Sequence, residues 1–404
     1  MVLTLVPALV NACHVSVVPA ALCVVEEPTL APRTQVSERA DELLQRWAPA
    51  YVQRVDARDH GADRPTRIDF DGDWDTTNNW DHQADHGAAL PPAAYGAAVL
   101  TDTHAYLTYT LYYPRDWNRG VCVPLICHDN DLETVMMVVD RTGATETLVE
   151  IRTKAHFAIG ETRGAEVMRT ADGHPLLNVE PEGHGIAVCR TGDRRCDARR
   201  GRIVYVPAVP GAPPAVPPMR AEGQTVAYAL LPLRDTLWAR RALDRCRLWT
   251  GGETGPLAYA GRHHGRLGEA MGAAMAGGRY AGGVRPPWAL KGAIGTRGDW
   301  FFDPAGSGTY AYNPFLDDLR AECAGEDCIP ARAEPSRLRR WLALTGSGAP
   351  LSRGRATLDA RMRRRAADAR SVPHTPPPSA PAGLAGIRAP RSGGVTPARR
   401  SAAR

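Results

Sequence analysis

The sequence lacks the features that define several large classes of protein. Only 6% of its 404 residues are aromatic, and no apolar run approaches the roughly eighteen uninterrupted residues of a membrane-spanning helix. The 49 basic residues nearly balance the 44 acidic ones, and much of the basic surplus lies in the last fifty residues. The main body is therefore near neutral. It also contains no basic stripe with interleaved aromatic residues, which argues against nucleic-acid binding.

The common enzyme signatures are also missing. The chain contains no GxSxG elbow, no Walker loop, no HExxH pair and no Rossmann glycine pattern, so it does not belong to the classes that those motifs define. No CxxC pair with zinc-site spacing occurs either. At 44% hydrophobic residues the chain is nevertheless long and apolar enough to bury a substantial core.

Nine cysteines are present, more than a cytosolic protein needs, and six of them form close pairs in the sequence. Such short spacings predict local disulfide loops in an exported protein. Residues 1–30 are largely apolar, but Pro, Asn and His interrupt the apolar run. This pattern is typical of an export signal or of a lipoprotein-like N-terminus with Cys13 as the lipidated residue. A buried strand is the alternative. We therefore expect a secreted or surface-tethered protein, with disulfides between Cys122 and Cys127, Cys189 and Cys196, and Cys323 and Cys328.

Short strand patterns separated by Gly and Pro turns dominate the main body. A helix with Ser37 as its N-cap is expected to end near Pro49, and strands are predicted in "AYLTYTLYYP", on both sides of "DRTGAT", in "HGIAVC" and in "GRIVYVPA". The predicted fold class is mostly β, a β-sandwich over residues 31–351 with a few short peripheral helices. Residues 352–404 are so rich in Arg, Ala and Pro that a disordered tail is predicted.

One polar cluster, "CHDNDLE" at 127–133, lies between two apolar runs. In a regular strand Asp129, Asp131 and Glu133 share one face, and His128 lies on the other. A site that uses His128 with Asp131 and Glu133 therefore needs a bend or bulge just after the histidine. Carboxylates packed this closely repel one another unless a cation lies among them, and oxygen-rich ligand sets favour Ca²⁺ or Mg²⁺.

The segment "YTLYYPRDWNRG" followed by "HDNDLETVMMVV" resembles the core of the necrosis- and ethylene-inducing-like cytolysins. In that family a Pro-Lys-Asp turn and a Gly-His-Arg-His-Asp-Trp-Glu heptapeptide surround a divalent cation on one rim of a β-sandwich. The resemblance implies the same role for Asp116, His128, Asp131 and Glu133. The departures are Cys127 for the family's Gly, Asn130 for its second His, Leu132 for its Trp, and extra residues before His128.

A downstream histidine, His184 in "EGHGIAVC", looks like the His-Gly element of the same family and is the candidate ligand-binding residue. Three interpretations of the function remain open. The first is an exported β-sandwich protein that binds a divalent cation and, through it, a glycan or lipid headgroup. The second is a metal-dependent hydrolase in which the same cluster activates water, with His184 as general base; a purely structural exported protein is a third reading.

The stretch "DFDGDWD" at 69–75 imitates a calcium loop through Asp69, Asp71 and Asp73. Its glycine falls at the fourth position and no glutamate closes it at the twelfth, which excludes an EF-hand. We expect a capped polar turn; the alternative is that its acids add to the rim site.

Overall fold

The computed structural model describes residues 32–56, 59–74, 76, 78–86, 90–117, 127–155, 158–198, 202–212, 223–240, 249–250, 258–259, 287–289 and 300–322. The predictions for residues 1–30, for residues 352–404 and for the pair Cys323 and Cys328 lie outside these ranges. Within them, no helix has the length and hydropathy that crossing a membrane requires.

Strands make up most of the described secondary structure, as the sequence predicts. The described residues also form three α-helices: α1 (Gln35–Trp47), α2 (Asn79–His86) and α3 (Pro314–Glu322). The strands are β1 (Ala50–Arg54), β2 (Ala93–Leu100), β3 (His104–Asp116), β4 (His128–Asp140), β5 (Thr147–Ala155), β6 (Ala158–Arg163), β7 (Leu176–Val179), β8 (Ile186–Val188), β9 (Arg202–Pro207), β10 (Thr225–Pro232), β11 (Trp249–Thr250) and β12 (Ala258–Tyr259).

Ten strands form one mixed sheet in the order β6-β5-β4-β3-β2-β10-β9-β1-β7-β8, and β11 pairs with β12 separately. The sheet is nearly closed, because β8 at one end contacts β5 and β4 near the other. The longest ladder joins β3 and β4, which run antiparallel over thirteen residues each. This ladder positions the polar cluster at 127–133, since β4 begins inside it.

The main hydrophobic core lies inside the curved sheet. Residues from both halves of the sheet belong to it, so the two halves face each other across this core. Alternate residues of β3 and β4 point into it because side chains alternate between the faces of a strand. Representative members are Tyr51, Tyr109, Val135, Met137, Leu177 and Tyr205.

A second core covers the opposite face of β2, β3 and β4. It is rich in aromatic rings, which bury large areas and favour edge-to-face contacts. The ring of Trp238, for example, meets that of Phe315 at 88° with centroids 5.0 Å apart. Because both faces of β3 and β4 are covered, these strands are apolar on both sides, and a polar segment within them requires a specific explanation.

Helix α1 packs an apolar stripe of Ala40, Leu43, Leu44 and Trp47 onto the sheet. Its N-cap is Thr34, whose side chain accepts a hydrogen bond from the backbone of Ser37, and the Ser37 hydroxyl accepts one from the backbone of Thr34 in return. The prediction of Ser37 as N-cap was therefore wrong by three residues. Both residues belong to one reciprocal capping box, in which either can be mistaken for the cap.

The predicted disulfide between Cys189 and Cys196 is present, with the two Cα atoms 5.9 Å apart. It follows β8 and closes a short loop before β9. Cys127 is also disulfide-bonded, but its predicted partner Cys122 lies outside the described residues. A disulfide in this protein is consistent with an oxidising compartment.

Candidate metal centre

The end of β3 and the start of β4 bring three potential metal ligands together. Asp116 is the last residue of β3 and His128 the first residue of β4, and the two are direct cross-strand partners. Asp131 follows His128 by three residues in β4. One potential ligand atom from each of Asp116, His128 and Asp131 lies within 4.8 Å of the others. Nε2 of His128 is 3.5 Å from a carboxylate oxygen of Asp116.

A local backbone irregularity puts His128 and Asp131 into the same group. Asn130 has φ of 59°, a left-handed conformation that asparagine tolerates better than most residues. The ladder keeps its register on both sides, with Asp131 opposite Tyr113 and Asp129 opposite Arg115, and no pairing is formed at Asn130. The bend that a common site requires thus lies two residues after the histidine.

The side chain of Asn130 anchors this bend on the opposite face of the sheet. Its Oδ1 accepts a hydrogen bond of 2.6 Å from the hydroxyl of Tyr112, and its Nδ2 donates one of 2.8 Å to the carbonyl of Thr76. The amide of Asn79 donates to the same hydroxyl at 2.6 Å. All of these groups are buried, so the network stabilises a conformation that costs energy in isolation.

We expect Asn130→Ala to destabilise the protein more than Asn130→Gly does. Both substitutions remove the side-chain hydrogen bonds, but only alanine is strained at positive φ, by about 1 to 2 kcal/mol. Urea unfolding of the two variants measures the difference directly. Equal stabilities would show that the bend is not held in the left-handed conformation in solution.

Glu133 lies on the same face of β4 as Asp131, two residues further along the strand. Its side chain is buried, and its Oε2 has no hydrogen-bond partner within the part of the chain that the structure describes. A buried carboxylate oxygen without a partner costs free energy, and an adjacent cation would remove that cost. Glu133 is not within the 4.8 Å group formed by the other three side chains.

The electrostatics of the cluster favour the binding of a cation. Burial, together with repulsion from the Asp131 carboxylate, raises the pKa of Asp116 to about 8. Burial and repulsion from Asp131 also raise the pKa of Glu133 well above its ordinary value. A bound divalent cation reverses both effects, because it stabilises the ionised form of each carboxyl group.

His184 lies directly behind Asp131. Its Nδ1 is 2.8 Å from Oδ2 of Asp131, its Nε2 is 3.2 Å from Oδ1 of Asp63, and its ring stacks on Tyr113 at 3.6 Å. Burial alone would lower the pKa of His184, but the hydrogen bonds to Asp131 and Asp63 outweigh it and raise the pKa to about 9. The protonated ring therefore donates to a carboxylate on each side at neutral pH.

This position bears on the ligand-binding role predicted for His184. The side chain is fully buried, and both ring nitrogens are engaged by carboxylates. No ring nitrogen faces solvent, so the contact that His184 makes with the candidate centre runs through Asp131.

Asp63 is the residue that the sequence reading missed. It is completely buried, and its carboxylate accepts hydrogen bonds from several separate segments of the chain. No local pattern marks it, because it lies in the irregular segment after β1.

A second group of potential ligands is formed by Asp71, Asp73 and His82. Nδ1 of His82 is 2.6 Å from Oδ2 of Asp71, and the backbone of Asp73 donates to Oδ1 of Asp71 at 3.3 Å. These contacts give Asp71 local partners, as expected of a capped polar turn.

The chain is similar to solved structures of necrosis- and ethylene-inducing proteins. The non-toxic HaNLP3 protein is 15% identical, with 41% of this chain and 74% of that one covered and a TM-score of 0.25. NLPPya in complex with glucosamine is 14% identical, with 40% and 72% covered and a TM-score of 0.27. Necrosis and Ethylene inducing Protein 2, from the causal agent of cocoa's witches' broom disease, is 17% identical, with 42% and 73% covered and a TM-score of 0.23.

The matched structures belong to the family that the motif resembles. They cover about two fifths of the chain at low TM-scores, so they say nothing about individual side chains of the candidate centre. No family model and no curated protein matches the chain.

Proposed function

We propose that this protein binds one divalent cation at the junction of β3 and β4 and, through it, a polar ligand. The observation that carries the proposal is the convergence of ligand atoms from Asp116, His128 and Asp131 within 4.8 Å. Glu133, whose buried Oε2 has no partner among the described side chains and backbone, is the fourth proposed ligand. A set of three carboxylates and one imidazole fits Ca²⁺ or Mg²⁺, which prefer oxygen ligands.

The uneven burial of the cluster supports a role in binding a further ligand. The side chains of Asp116 and His128 are 13% and 14% exposed, whereas the Asp131 side chain is 6% exposed. A cation held by these groups would be covered from the interior and open on the side of Asp116 and His128. Ligand hydroxyl or phosphate oxygens can complete its coordination there, since Ca²⁺ takes six to eight oxygen ligands.

We take a glycan as the first ligand class to test and a lipid headgroup as the second. Sugar hydroxyl groups are neutral oxygen donors, suited to a cation whose charge is already balanced by three carboxylates. Glucosamine and mannosamine are in complex with NLPPya in solved structures, and they are convenient probes. The disulfide between Cys189 and Cys196 supports a secreted or surface-tethered protein, because such bonds persist in oxidising compartments.

The alternative of a metal-dependent hydrolase is less well supported. A general base needs a nitrogen or oxygen free to accept a proton from water. Both nitrogens of His184 contact carboxylates and the ring is buried, so His184 is a poor candidate for that role. Nε2 of His128 lies near Asp116 at the partly exposed side, but as a proposed cation ligand it would have no free lone pair.

The test begins with metal-stripped protein and calorimetric titration of Ca²⁺ and Mg²⁺, followed by glucosamine and mannosamine with and without the bound cation. We expect one high-affinity cation per chain, and sugar binding that requires it. Asp131→Asn should lose both, and Asp172→Asn, a change at an exposed loop position, should lose neither.

Three results would count against the proposal. Absence of any cation binding would remove it entirely. Sugar binding that survives removal of the cation would separate the two sites. Cation-dependent cleavage of an ester or phosphodiester that is lost in Asp131→Asn, with the fold intact, would favour the hydrolase.

A further inference from the structure

We propose that Asp63 is a positioning residue of the cation site, acting through His184 on the orientation of the Asp131 carboxylate. This inference rests on the proposed function and names a residue that contributes to it without touching the cation. The contacts form a continuous chain of three side chains. Oδ1 of Asp63 is 3.2 Å from Nε2 of His184, and Nδ1 of His184 is 2.8 Å from Oδ2 of Asp131.

Asp63 holds together the segments that surround the site. Its Oδ1 accepts hydrogen bonds from the backbone N–H of Glu182 at 2.9 Å and from the indole N–H of Trp117 at 3.3 Å. Its Oδ2 accepts one from the backbone N–H of Asp56 at 2.5 Å. Trp117 directly follows the proposed ligand Asp116, and Glu182 lies in the loop that carries His184. One buried carboxylate thus fixes both of these segments relative to each other.

The loop that presents His184 needs such an anchor. Glu182 and His184 have φ values of 71° and 52°, in the left-handed region that residues other than glycine and asparagine adopt at a cost. The hydrogen bond from Glu182 to Asp63 and the stacking of the His184 ring on Tyr113, with ring planes 3° apart, keep the loop in this conformation. Without Asp63, the imidazole of His184 loses one of its two carboxylate partners. The backbone N–H of Glu182 then also loses its acceptor.

The orientation of Asp131 depends on this ring. Its Oδ2 contacts Nδ1 of His184, so the hydrogen bond to the ring engages only one of the two carboxylate oxygens. A carboxylate whose second oxygen is held by a hydrogen bond has fewer orientations to lose when it binds a cation. Outer-shell hydrogen bonds of this kind typically change metal affinity by about 10- to 100-fold.

The test compares metal-stripped wild type with Asp63→Asn, which keeps the size of the side chain but removes its charge and one acceptor oxygen. We expect the Kd for Ca²⁺ to rise by about 10- to 100-fold. We also expect the luminescence lifetime of bound Tb³⁺, which reports the number of water molecules on the ion, to show at least one additional water. A merely structural loss would change the unfolding midpoint but not the hydration of the bound ion.

Asp140→Asn is the matched control. Asp140 is also a buried aspartate that accepts a backbone N–H, from Thr142 at 2.8 Å, but it lies at the far end of β4 from His128. Its replacement should lower stability and leave the Ca²⁺ affinity and the Tb³⁺ hydration as in wild type. Equal affinity and hydration in Asp63→Asn and in this control would overturn the role of Asp63.

Failure of the proposed function would look different, because wild type itself would then bind no cation. If Asp63→Asn does not fold, the link between His184 and the cation, on which the role of Asp63 depends, is tested in wild type with ¹⁵N-labelled histidine. Saturating Ca²⁺ should then shift the ring signals of His184 more than those of His174, which bonds to the carbonyl of Ala48. No shift at His184 would overturn the inference.

Discussion

Replacing Asp116 by asparagine is expected to stabilise the metal-free protein at pH 9 and to abolish most of its stabilisation by divalent cation. Without a cation the ionised Asp116 carboxylate is unfavourable, since burial and Asp131 raise its pKa to about 8. Each unit of such a shift corresponds to about 1.4 kcal/mol, so the shift from 3.8 to about 8 sets an upper limit of about 6 kcal/mol on the gain in the free energy of unfolding from neutralising the group. With the cation present the sign reverses, because the variant lacks a charged ligand.

The size of the cation effect follows from mass action. At a Ca²⁺ concentration of one hundred times Kd, wild type should gain about 2.7 kcal/mol in its free energy of unfolding. Thermal or urea unfolding of wild type and Asp116→Asn, each with and without Ca²⁺, provides the four values. A variant that gains as much from Ca²⁺ as wild type does would show that Asp116 is not a ligand.

The same design tests the fourth proposed ligand. Glu133→Gln replaces a buried ionisable group whose Oε2 has no hydrogen-bond partner among the described residues, so it too should be tolerated without cation. Loss of the cation effect in this variant would place Glu133 among the ligands. Asp172→Asn, at an exposed loop position, should follow wild type under all conditions.

The stability of the metal-free protein is expected to fall as the pH rises from 6.5 to 8, and saturating Ca²⁺ should flatten this dependence. Asp116, with a pKa of about 8 in the folded state and 3.8 ordinarily, keeps a proton in this range that the unfolded chain has released. His184, with a pKa of about 9 against 6.5, does the same. Its stabilising contribution is complete below pH 6.5 and is lost as the pH rises through 9.

Because the folded state binds more protons than the unfolded state, its stability decreases with pH. The slope is about 1.4 kcal/mol per pH unit for each group that differs by a full proton. Urea unfolding at half-unit intervals from pH 5.5 to 9.5 measures it. Asp116→Asn should show a shallower slope without cation, and a flat profile for metal-free wild type would contradict the raised pKa values.

The sequence alone predicts the elements that depend on local pattern. Strands β3, β4 and β5 follow from runs of β-branched and aromatic residues interrupted by "DRTGAT", and the structure confirms them. The disulfide between Cys189 and Cys196 follows from a spacing of seven residues. Such features are recoverable because neighbours in the chain decide strand period and short-loop closure.

The sequence also indicates that the polar cluster requires a bend, because His128 and Asp131 belong to opposite faces of a regular strand. It does not indicate that the bend lies at Asn130. That position depends on Tyr112, Thr76 and Asn79, whose hydrogen bonds to Asn130 stabilise its left-handed conformation. Only packing across the sheet brings these groups to one point.

The support behind the site is decided by the tertiary structure alone. Asp63 and His184 are 121 residues apart in the chain, and their contact requires that β1 lie beside β7 and that β8 approach β4 and β5. Periodicity gives the face on which a residue lies, but not which distant residue faces it across a nearly closed sheet. The strand ends that carry Asp116 and His128 are therefore readable from sequence, whereas the buried carboxylate that holds His184 in place is not.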